Sequence, residues 1–426
     1  MLFPLLLRPV WALGASLALI FVLLAWKSVA YPVALVGLIS TVIVLVGSNP
    51  LPPGAFLYLV SGWTLLAIVV AALRDDALSG SILRAAPVAL SLTLAGLLIA
   101  QLGDSPAQEY GTFKVQVFVS QNLVLLFGGI VIGRDRKHLD LFLGLTLAVA
   151  FLSALVLTQQ LVGGQAQEVL PGRFALNPEE NPIFLGRSAG TGLIIAIYLL
   201  LAGTVLRYRL YALAVLPSLA VSIVAAGSRG PVVGVIFAIT VLLACLARSS
   251  RSRRRIPMVV AGIVAGVLLT AQLVPGETIG RSFSIFSGNG SGVDTNGRSD
   301  LWAQAFESIR GHPLLGIGTG GFEAISPMLR YPHNLLLESA VELGLAGLLA
   351  VIALISATLR RLRRAWRGLP EDSRGHVTVV AALFVAATIN AMLSGDITVN
   401  TSVWLTAGLA LGAADHAARQ ARSGFA

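Results

Sequence analysis

The chain of 426 residues is 56% hydrophobic and 12% charged, with a mean hydropathy of +0.84. This composition excludes a soluble globule, because too few polar residues remain to cover the surface of one this size. The net charge of +10 does not indicate a nucleic-acid-binding protein, since most Lys and Arg residues fall in short segments between apolar runs.

Apolar runs recur along nearly the whole chain, each about as long as the 17–25 residues that a helix needs to cross a bilayer. They lack the apolar and polar alternation of a membrane barrel. We therefore predict an all-α, polytopic bundle of about 12 (12–13) transmembrane helices that forms a single membrane domain over residues 1–426. The predicted segments are 9–25, 29–47, 55–73, 83–101, 113–132, 139–161, 183–204, 210–226, 232–247, 257–273, 334–359, 377–393 and 398–413.

Basic clusters predict the sidedness of the bundle, because Lys and Arg near helix ends are retained on the cytoplasmic side. The strongest clusters lie at 251–255 and 360–367, and the basic tail at 419–422 agrees with them. The carboxy terminus is therefore predicted to be cytoplasmic, and the loops 162–182 and 274–332 to lie outside. Whether there are 12 or 13 helices decides the side of the amino terminus, which stays open.

The loop 274–332 is the one long polar stretch, and long ordered loops in compact proteins are usually functional. Within it, Trp302, Phe306 and Ile309 share a helical face at i, i+4 and i+7 spacing. We predict short helices in this loop, including one at the membrane surface, and expect the loop to carry part of the active site.

Three polar positions stand at the predicted outer boundary. Arg229 lies between two apolar runs, where an arginine is costly and indicates function; the alternative is a helix-end arginine that reaches lipid phosphate. Arg298, taken alone, is more typical of a solvated loop. His333 precedes a predicted helix start, whose dipole disfavours the imidazolium and so favours the neutral imidazole that a general base requires. The alternative is a structural histidine.

The motifs around these residues resemble the O-antigen ligase and O-antigen polymerase family. They are SRG at 228–230, GRSDLW at 297–302, HPLLGIGTGGF at 312–322 and HNLLLESAVELGLAG at 333–347. The resemblance covers about residues 177–347. The loop from Arg298 to His333 is short for a ligase, so the identity of the acceptor stays open.

The resemblance implies a multi-pass protein of the bacterial inner membrane with its active site at the periplasmic face. Its implied activity is glycan transfer from undecaprenyl pyrophosphate to an acceptor sugar hydroxyl, in lipopolysaccharide biosynthesis. His333 is then the expected base, and Arg229 and Arg298 the expected pyrophosphate-binding residues. No His, Cys and carboxylate cluster with metal-ligand spacing occurs, so we expect transfer without a metal or other cofactor.

Weaker candidates complete the predicted site. Arg173, Arg187, Asn334 and Trp302 are further candidates for contact with substrate, although turn-forming Asn-Pro pairs explain much of the loop that contains the first two. Glu338 and Glu342 lie four residues apart on a predicted membrane helix, where a carboxylate is costly. We interpret them as structural residues or as supports for the catalytic ones.

Two enzymatic functions share this chemistry, namely ligation of a finished chain onto lipid A-core and polymerisation of repeat units. A transporter of lipid-linked sugars is the rival from another class. Such a transporter is expected to show internal repeats and polar residues at the membrane midplane, and the sequence shows neither. The expected partners are the undecaprenyl-pyrophosphate-linked glycan, an acceptor (lipid A-core or growing polysaccharide) and membrane lipids, with no nucleic acid.

Overall fold

The computed structural model describes residues 23–35, 55–75, 80–178, 180–284, 298–326 and 329–423. Helix dominates this part of the chain, which confirms the predicted all-α class. The helices are α1 Ala30–Leu35, α2 Ala55–Asp75, α3 Gly80–Leu83, α4 Ala86–Ala100, α5 Gln108–Val117, α6 Leu123–Gly133, α7 Arg136–Val162, α8 Pro182–Ala202, α9 Leu206–Ala225, α10 Arg229–Leu246, α11 Ser250–Arg253, α12 Ile256–Leu273, α13 Gly276–Phe283, α14 Arg298–Gly311, α15 Phe322–Ile325, α16 Leu335–Gly368, α17 Gly375–Leu393 and α18 Thr401–Ser423.

Three smaller elements complete the description. A five-residue π-helix, Phe118–Asn122, joins α5 to α6, and a 3-10 turn, Glu371–Ser373, precedes α17. The strands β1 (Gln167–Leu170) and β2 (Arg173–Ala175) form an antiparallel hairpin after α7. The predicted outer loop 162–182 therefore contains local structure.

Eight helical stretches in the described part are long and apolar enough to cross a bilayer, so the chain is a multi-pass membrane protein. They are Gln108–Gly133, Arg136–Val162, Pro182–Ala202, Leu206–Ala225, Arg229–Leu246, Ser250–Leu273, Leu335–Gly368 and Gly375–Leu393. Two shorter apolar stretches, Tyr58–Arg74 and Ala86–Ala100, accompany them. The predicted segments 9–25 and 29–47 lie largely outside the described residues, so the total of about 12 helices stays a prediction.

Close backbone packing joins α6 to α18. A Cβ built on Gly408 would lie 2.0 Å from the carbonyl oxygen of Leu126, and one built on Gly129 would lie 2.4 Å from that of Leu405. Only glycine permits such an approach, and small residues at helix interfaces are typical of membrane bundles. The carboxy-terminal helix is therefore an integral part of the bundle.

The longest helix, α16, breaks at Gly344, which adopts a φ of +63°. The break receives the glycine-rich loop before α15: Leu345 donates its N–H to the carbonyl of Pro313 at 3.0 Å, and Ile317 donates to that of Val341 at 2.9 Å. Because the backbone groups of the broken helix are paired by this loop, the loop is fixed against the first turns of α16.

The bundle has two chemically different ends. At one end Arg134 pairs with Asp415 at 3.0 Å, and Trp366 stacks with the guanidinium groups of Arg248 and Arg374. At the other end lie the hairpin, α13, α14 and the turn that contains His333. The candidate site and the basic clusters are thus at opposite ends of the described helices.

Candidate active site

His333 lies in the turn that leads into α16 and adopts a left-handed conformation with a φ of +56°. This region costs an L-residue about 1–2 kcal/mol, and residues held in it cluster at functional sites. The next residue, Asn334, caps α16, because its Oδ1 accepts from the N–H groups of Leu336 and Leu337 at 3.0 and 3.1 Å. Its Nδ2 donates to the carbonyl of Met392 at 3.0 Å. Asn334 therefore fixes the His333 turn against the end of α17.

The His333 ring is oriented by the chain that follows α17. Gly395 donates its N–H to Nδ1 at 3.4 Å. Because Nδ1 accepts, the neutral ring carries its proton on Nε2, and Nδ1 is the nitrogen that can take up a proton. At 3.4 Å the contact is long for a hydrogen bond.

Tyr331 forms one wall beside this ring, with the two ring centroids 4.5 Å apart. Burial raises the pKa of Tyr331 to about 12, and the carboxylates of Asp396 and Glu338 act in the same direction, whereas Arg187 and Lys114 oppose them. The phenol is therefore neutral at physiological pH and presents an aromatic wall without charge.

Arg187 reaches the same place from α8. Its Nη2 donates to the carbonyl oxygens of Asn390 at 3.2 Å and Ser394 at 2.9 Å. Its Nε is buried and has no hydrogen-bond partner among the described residues. A buried guanidinium with an unsatisfied donor is suited to receive an anionic oxygen.

Arg229 is the first residue of α10 and follows Ser228, which occupies the N-cap position. The Ser228 hydroxyl donates to the carbonyl of Ala226 at 3.1 Å, and the side chain forms no hydrogen bond with the first-turn amides. The Ser228 side chain therefore does not cap the positive end of the helix dipole. A Cβ built on Gly230 would lie 3.3 Å from Oδ1 of Asn390, so α10 begins against the end of α17.

The hairpin places Arg173 beside the turn before Arg229. Gly227 in this turn has a φ of +57°, and a Cβ built on it would lie 2.2 Å from the carbonyl oxygen of Gly172 and 2.9 Å from Cγ of Arg173. Only glycine allows this contact. This contact therefore holds Arg173 of β2 against the turn that leads into α10.

The helix α14 also docks at the His333 turn. Trp302 donates its Nε1–H to the carbonyl of Pro332 at 3.0 Å. The predicted apolar face is divided, because Trp302 and Ile309 are partly buried against a cluster of apolar side chains whereas Phe306 is 51% exposed. That cluster joins Leu301 and Ala305 of α14 to Phe322 of α15 and Val341 of α16, so contacts with these two helices set the orientation of α14. Arg298 begins this helix, and its side chain lies outside the described part of the chain.

Glu338 and Glu342 lie behind the site, in the first turns of α16. Both are about 1% exposed and contact Lys114 of α5, which is fully buried. The sequence analysis did not identify Lys114, Tyr331 or Gly395. The sequence did contain a signal for Lys114. It lies within the predicted apolar segment 113–132, where a lysine is costly and needs a carboxylate partner such as Glu338 or Glu342.

Residues 390–395 connect these parts. Arg187, His333 and Asn334 form hydrogen bonds with this segment, and the start of α10 packs on it. The structure thus brings together Arg187, Asn334 and His333, together with the start of the helix that carries Arg229. The arrangement combines cationic groups with a histidine at one end of a helical bundle.

Residues 212–352 match a family model described as O-Antigen ligase. The matched range begins within α9 and ends within α16, so it contains Arg229, Arg298, Trp302 and His333. A search of curated proteins found no significant match.

Proposed function

From the match of residues 212–352 to the O-antigen ligase family model, we propose that the chain transfers a glycan from an undecaprenyl-pyrophosphate donor to a sugar hydroxyl of lipid A-core. The convergence of Arg187, His333 and the start of α10 on residues 390–395 carries this proposal. A pyrophosphate needs cationic and amide donors, and the acceptor hydroxyl needs a base. Both kinds of group contact the same segment, residues 390–395.

In the proposed reaction the acceptor oxygen attacks the anomeric carbon, and the bond between this carbon and the pyrophosphate oxygen breaks. The acceptor hydroxyl takes the place of the long Gly395 contact and gives its proton to Nδ1 of His333. The electron pair of the broken bond leaves with undecaprenyl pyrophosphate. Negative charge grows on the leaving group, and guanidinium groups stabilise such charge best where water is scarce.

The residues divide between two tasks. We assign Arg187, Arg229 and Arg298 to the pyrophosphate, with the amides at the start of α10 as further donors. Arg173, Trp302 and Asn334 stay proposed substrate contacts, and Asn334 also holds the turn. Transfer without metal is part of the proposal.

The proposed location follows from the two ends of the bundle. The basic end carries the clusters that are retained in the cytoplasm, so the site end faces the periplasm and the carboxy terminus is cytoplasmic. In this proposal the reaction takes place at the outer face of the bacterial inner membrane.

Product analysis with the purified protein tests the proposal. The protein receives an undecaprenyl-pyrophosphate oligosaccharide with and without lipid A-core. Glycan on lipid A-core supports ligation, whereas longer undecaprenyl-linked chains formed without lipid A-core would identify a polymerase. Absence of any glycosidic product, together with donor movement across liposomes, would identify a transporter and overturn the proposal.

A further inference from the structure

A buried charged cluster lies beneath the candidate site and has no place in the reaction described above. Nζ of Lys114 is 2.5 Å from Oε1 of Glu338 and 2.6 Å from Oε2 of Glu342. All three side chains are buried to within 1% exposure. Buried ion pairs are often replaceable by apolar residues without loss of stability. Stability alone is therefore a weak explanation for this cluster.

Each glutamate holds a different neighbouring segment. Oε2 of Glu338 accepts the N–H of Ile397 at 2.9 Å, whereas Oε2 of Glu342 accepts the N–H of Gly320 at 2.9 Å. Ile397 belongs to the turn 394–400 between α17 and α18. Gly320 belongs to the glycine-rich loop that fills the break in α16. The Glu338 contact therefore leads directly to the turn that contacts His333, whereas the Glu342 contact leads to the glycine-rich loop.

The turn 394–400 is also fixed from within. Oδ1 of Asp396 accepts the N–H groups of Thr398 and Val399, at 2.9 and 2.7 Å. Its Oδ2 accepts the hydroxyl of Tyr110, a residue of α5, at 2.7 Å. The turn is therefore tied to α5 by Tyr110 and to α16 by Glu338. Its Gly395 amide is the group that contacts the His333 ring.

The His333 ring and the Gly395 amide that contacts it are thus both held by elements that Glu338 belongs to or binds. Glu338 stands in the first turns of the helix that follows His333, and it binds the turn that supplies the Gly395 amide. Lys114 holds the carboxylate of Glu338 in place from α5. We propose that Lys114 is a positioning residue for glycan transfer, acting through Glu338 and the turn 394–400 on the orientation of the His333 ring. This inference rests on the proposed function.

The two glutamates supply a matched test. Glu338→Gln and Glu342→Gln remove the same charge, one helical turn apart, beside the same lysine. Both carboxylate oxygens of Glu338 accept a hydrogen bond, Oε1 from Lys114 and Oε2 from Ile397. The NH2 group of a glutamine cannot accept, so either orientation of the amide loses one of these two hydrogen bonds. Oε2 of Glu342 accepts both of its contacts, and Oε1 has no partner among the described residues, so a glutamine keeps both bonds.

The expected result is a difference in turnover between the two variants. In Glu338→Gln, kcat falls about 10- to 100-fold, as misplacement of a reacting group by about 1 Å does, while the KM for the donor changes little. In Glu342→Gln, kcat stays within about two-fold of the wild-type value. Equal kcat values for the two variants, whether both high or both low, would overturn the proposal.

A second variant covers the case in which Glu338→Gln does not fold. Lys114→Met combined with Glu338→Leu and Glu342→Gln replaces the ion pair by apolar side chains and leaves no buried charge without a partner, which often preserves stability. The same loss of kcat is expected. A folded triple variant that transfers glycan at the wild-type rate would overturn the proposal.

A spectroscopic measurement separates this inference from the proposed function. The chain has five histidines, so 15N-labelled histidine signals are few, and the His333 signal is identified by its loss in His333→Ala. The wild type is expected to show the tautomer protonated at Nε2, and Glu338→Gln a loss of that preference that Glu342→Gln does not share. An unchanged tautomer in Glu338→Gln would contradict positioning even if no transfer activity were found for the wild type.

Discussion

At the scale of single residues, the left-handed conformation of His333 predicts separate effects on stability and activity. We expect His333→Ala and His333→Gly both to lose transfer activity, because each lacks the imidazole. Glycine removes the strain at a φ of +56° but loses more backbone entropy on folding. The free energy of unfolding in detergent should therefore be about 0.5–1 kcal/mol higher for His333→Gly than for His333→Ala. A less stable glycine variant would show that the turn is not strained.

Arg187 gives a second prediction at this scale. In Arg187→Lys the ammonium cannot keep both carbonyl contacts, to Asn390 and Ser394, and also donate to a phosphate oxygen. The affinity for the donor should fall about ten-fold, equivalent to about 1.4 kcal/mol. Arg207→Lys, at the basic end of the bundle, is the matched control and should bind donor as the wild type does. Equal affinity of both variants in a donor-binding assay would remove Arg187 from the pyrophosphate site.

Sequence reasoning identified the residues with unusual chemistry but not their partners. Arg187, Arg229, His333 and the two glutamates stand out because charged or basic groups are costly beside apolar runs. Lys114 contacts Glu338, which lies 224 positions later in the chain, and no local sequence pattern predicts a contact over such a separation. Gly395 contacts His333 through its backbone amide. Almost any residue type can make such a contact, so the sequence carries no signal for it.

At the scale of elements, the break in α16 predicts a specific intolerance. In Gly344→Ala the new Cβ would lie 2.2 Å from the carbonyl oxygen of Leu314, at a φ of +63°. We expect the free energy of unfolding to fall by at least about 2 kcal/mol. Gly311→Ala, at the end of α14, has no atom within 4 Å of its Cβ and should be neutral or slightly stabilising. Similar unfolding curves for the two variants would contradict the tight fit of the loop into the break.

The segment predictions succeeded where hydropathy is the deciding factor and failed where contacts decide. The predicted segment 334–359 ends nine residues before α16 does. The remainder is an arginine-rich extension in which long cationic side chains are good helix formers. The break at Gly344 was not predicted, because a glycine among apolar residues is compatible with a continuous helix. Its cause is the loop that packs into it.

At the scale of the whole molecule, the separation of the basic end from the site end predicts the topology. In a Cys245→Ser background, Gln165→Cys near the hairpin should react with a membrane-impermeant maleimide in intact cells with a permeabilised outer membrane. Glu371→Cys, in the connection between α16 and α17, should react only after the inner membrane is opened. Both positions are exposed in the structure, so burial does not explain a difference. The reverse pattern would place the site in the cytoplasm.

Composition and apolar periodicity were sufficient to predict an all-α membrane bundle, because the bilayer leaves a chain few ways to satisfy its backbone. The site required more, since it is assembled from α8, α10, the start of α16 and the turn after α17. These elements are far apart in the sequence. The family motifs cover α10 and the start of α16, whereas Arg187 and residues 390–395 lie outside the matched range.

The most direct test of the proposed site measures donor affinity and the rate of glycan transfer side by side for the wild type, His333→Ala and Arg229→Ala, with Arg207→Ala as the control. We expect His333→Ala to bind donor and fail to transfer it, Arg229→Ala to bind donor more weakly and transfer poorly, and the control to match the wild type. Transfer at near wild-type rate by both His333→Ala and Arg229→Ala would contradict the assignment of the active site to this end of the bundle.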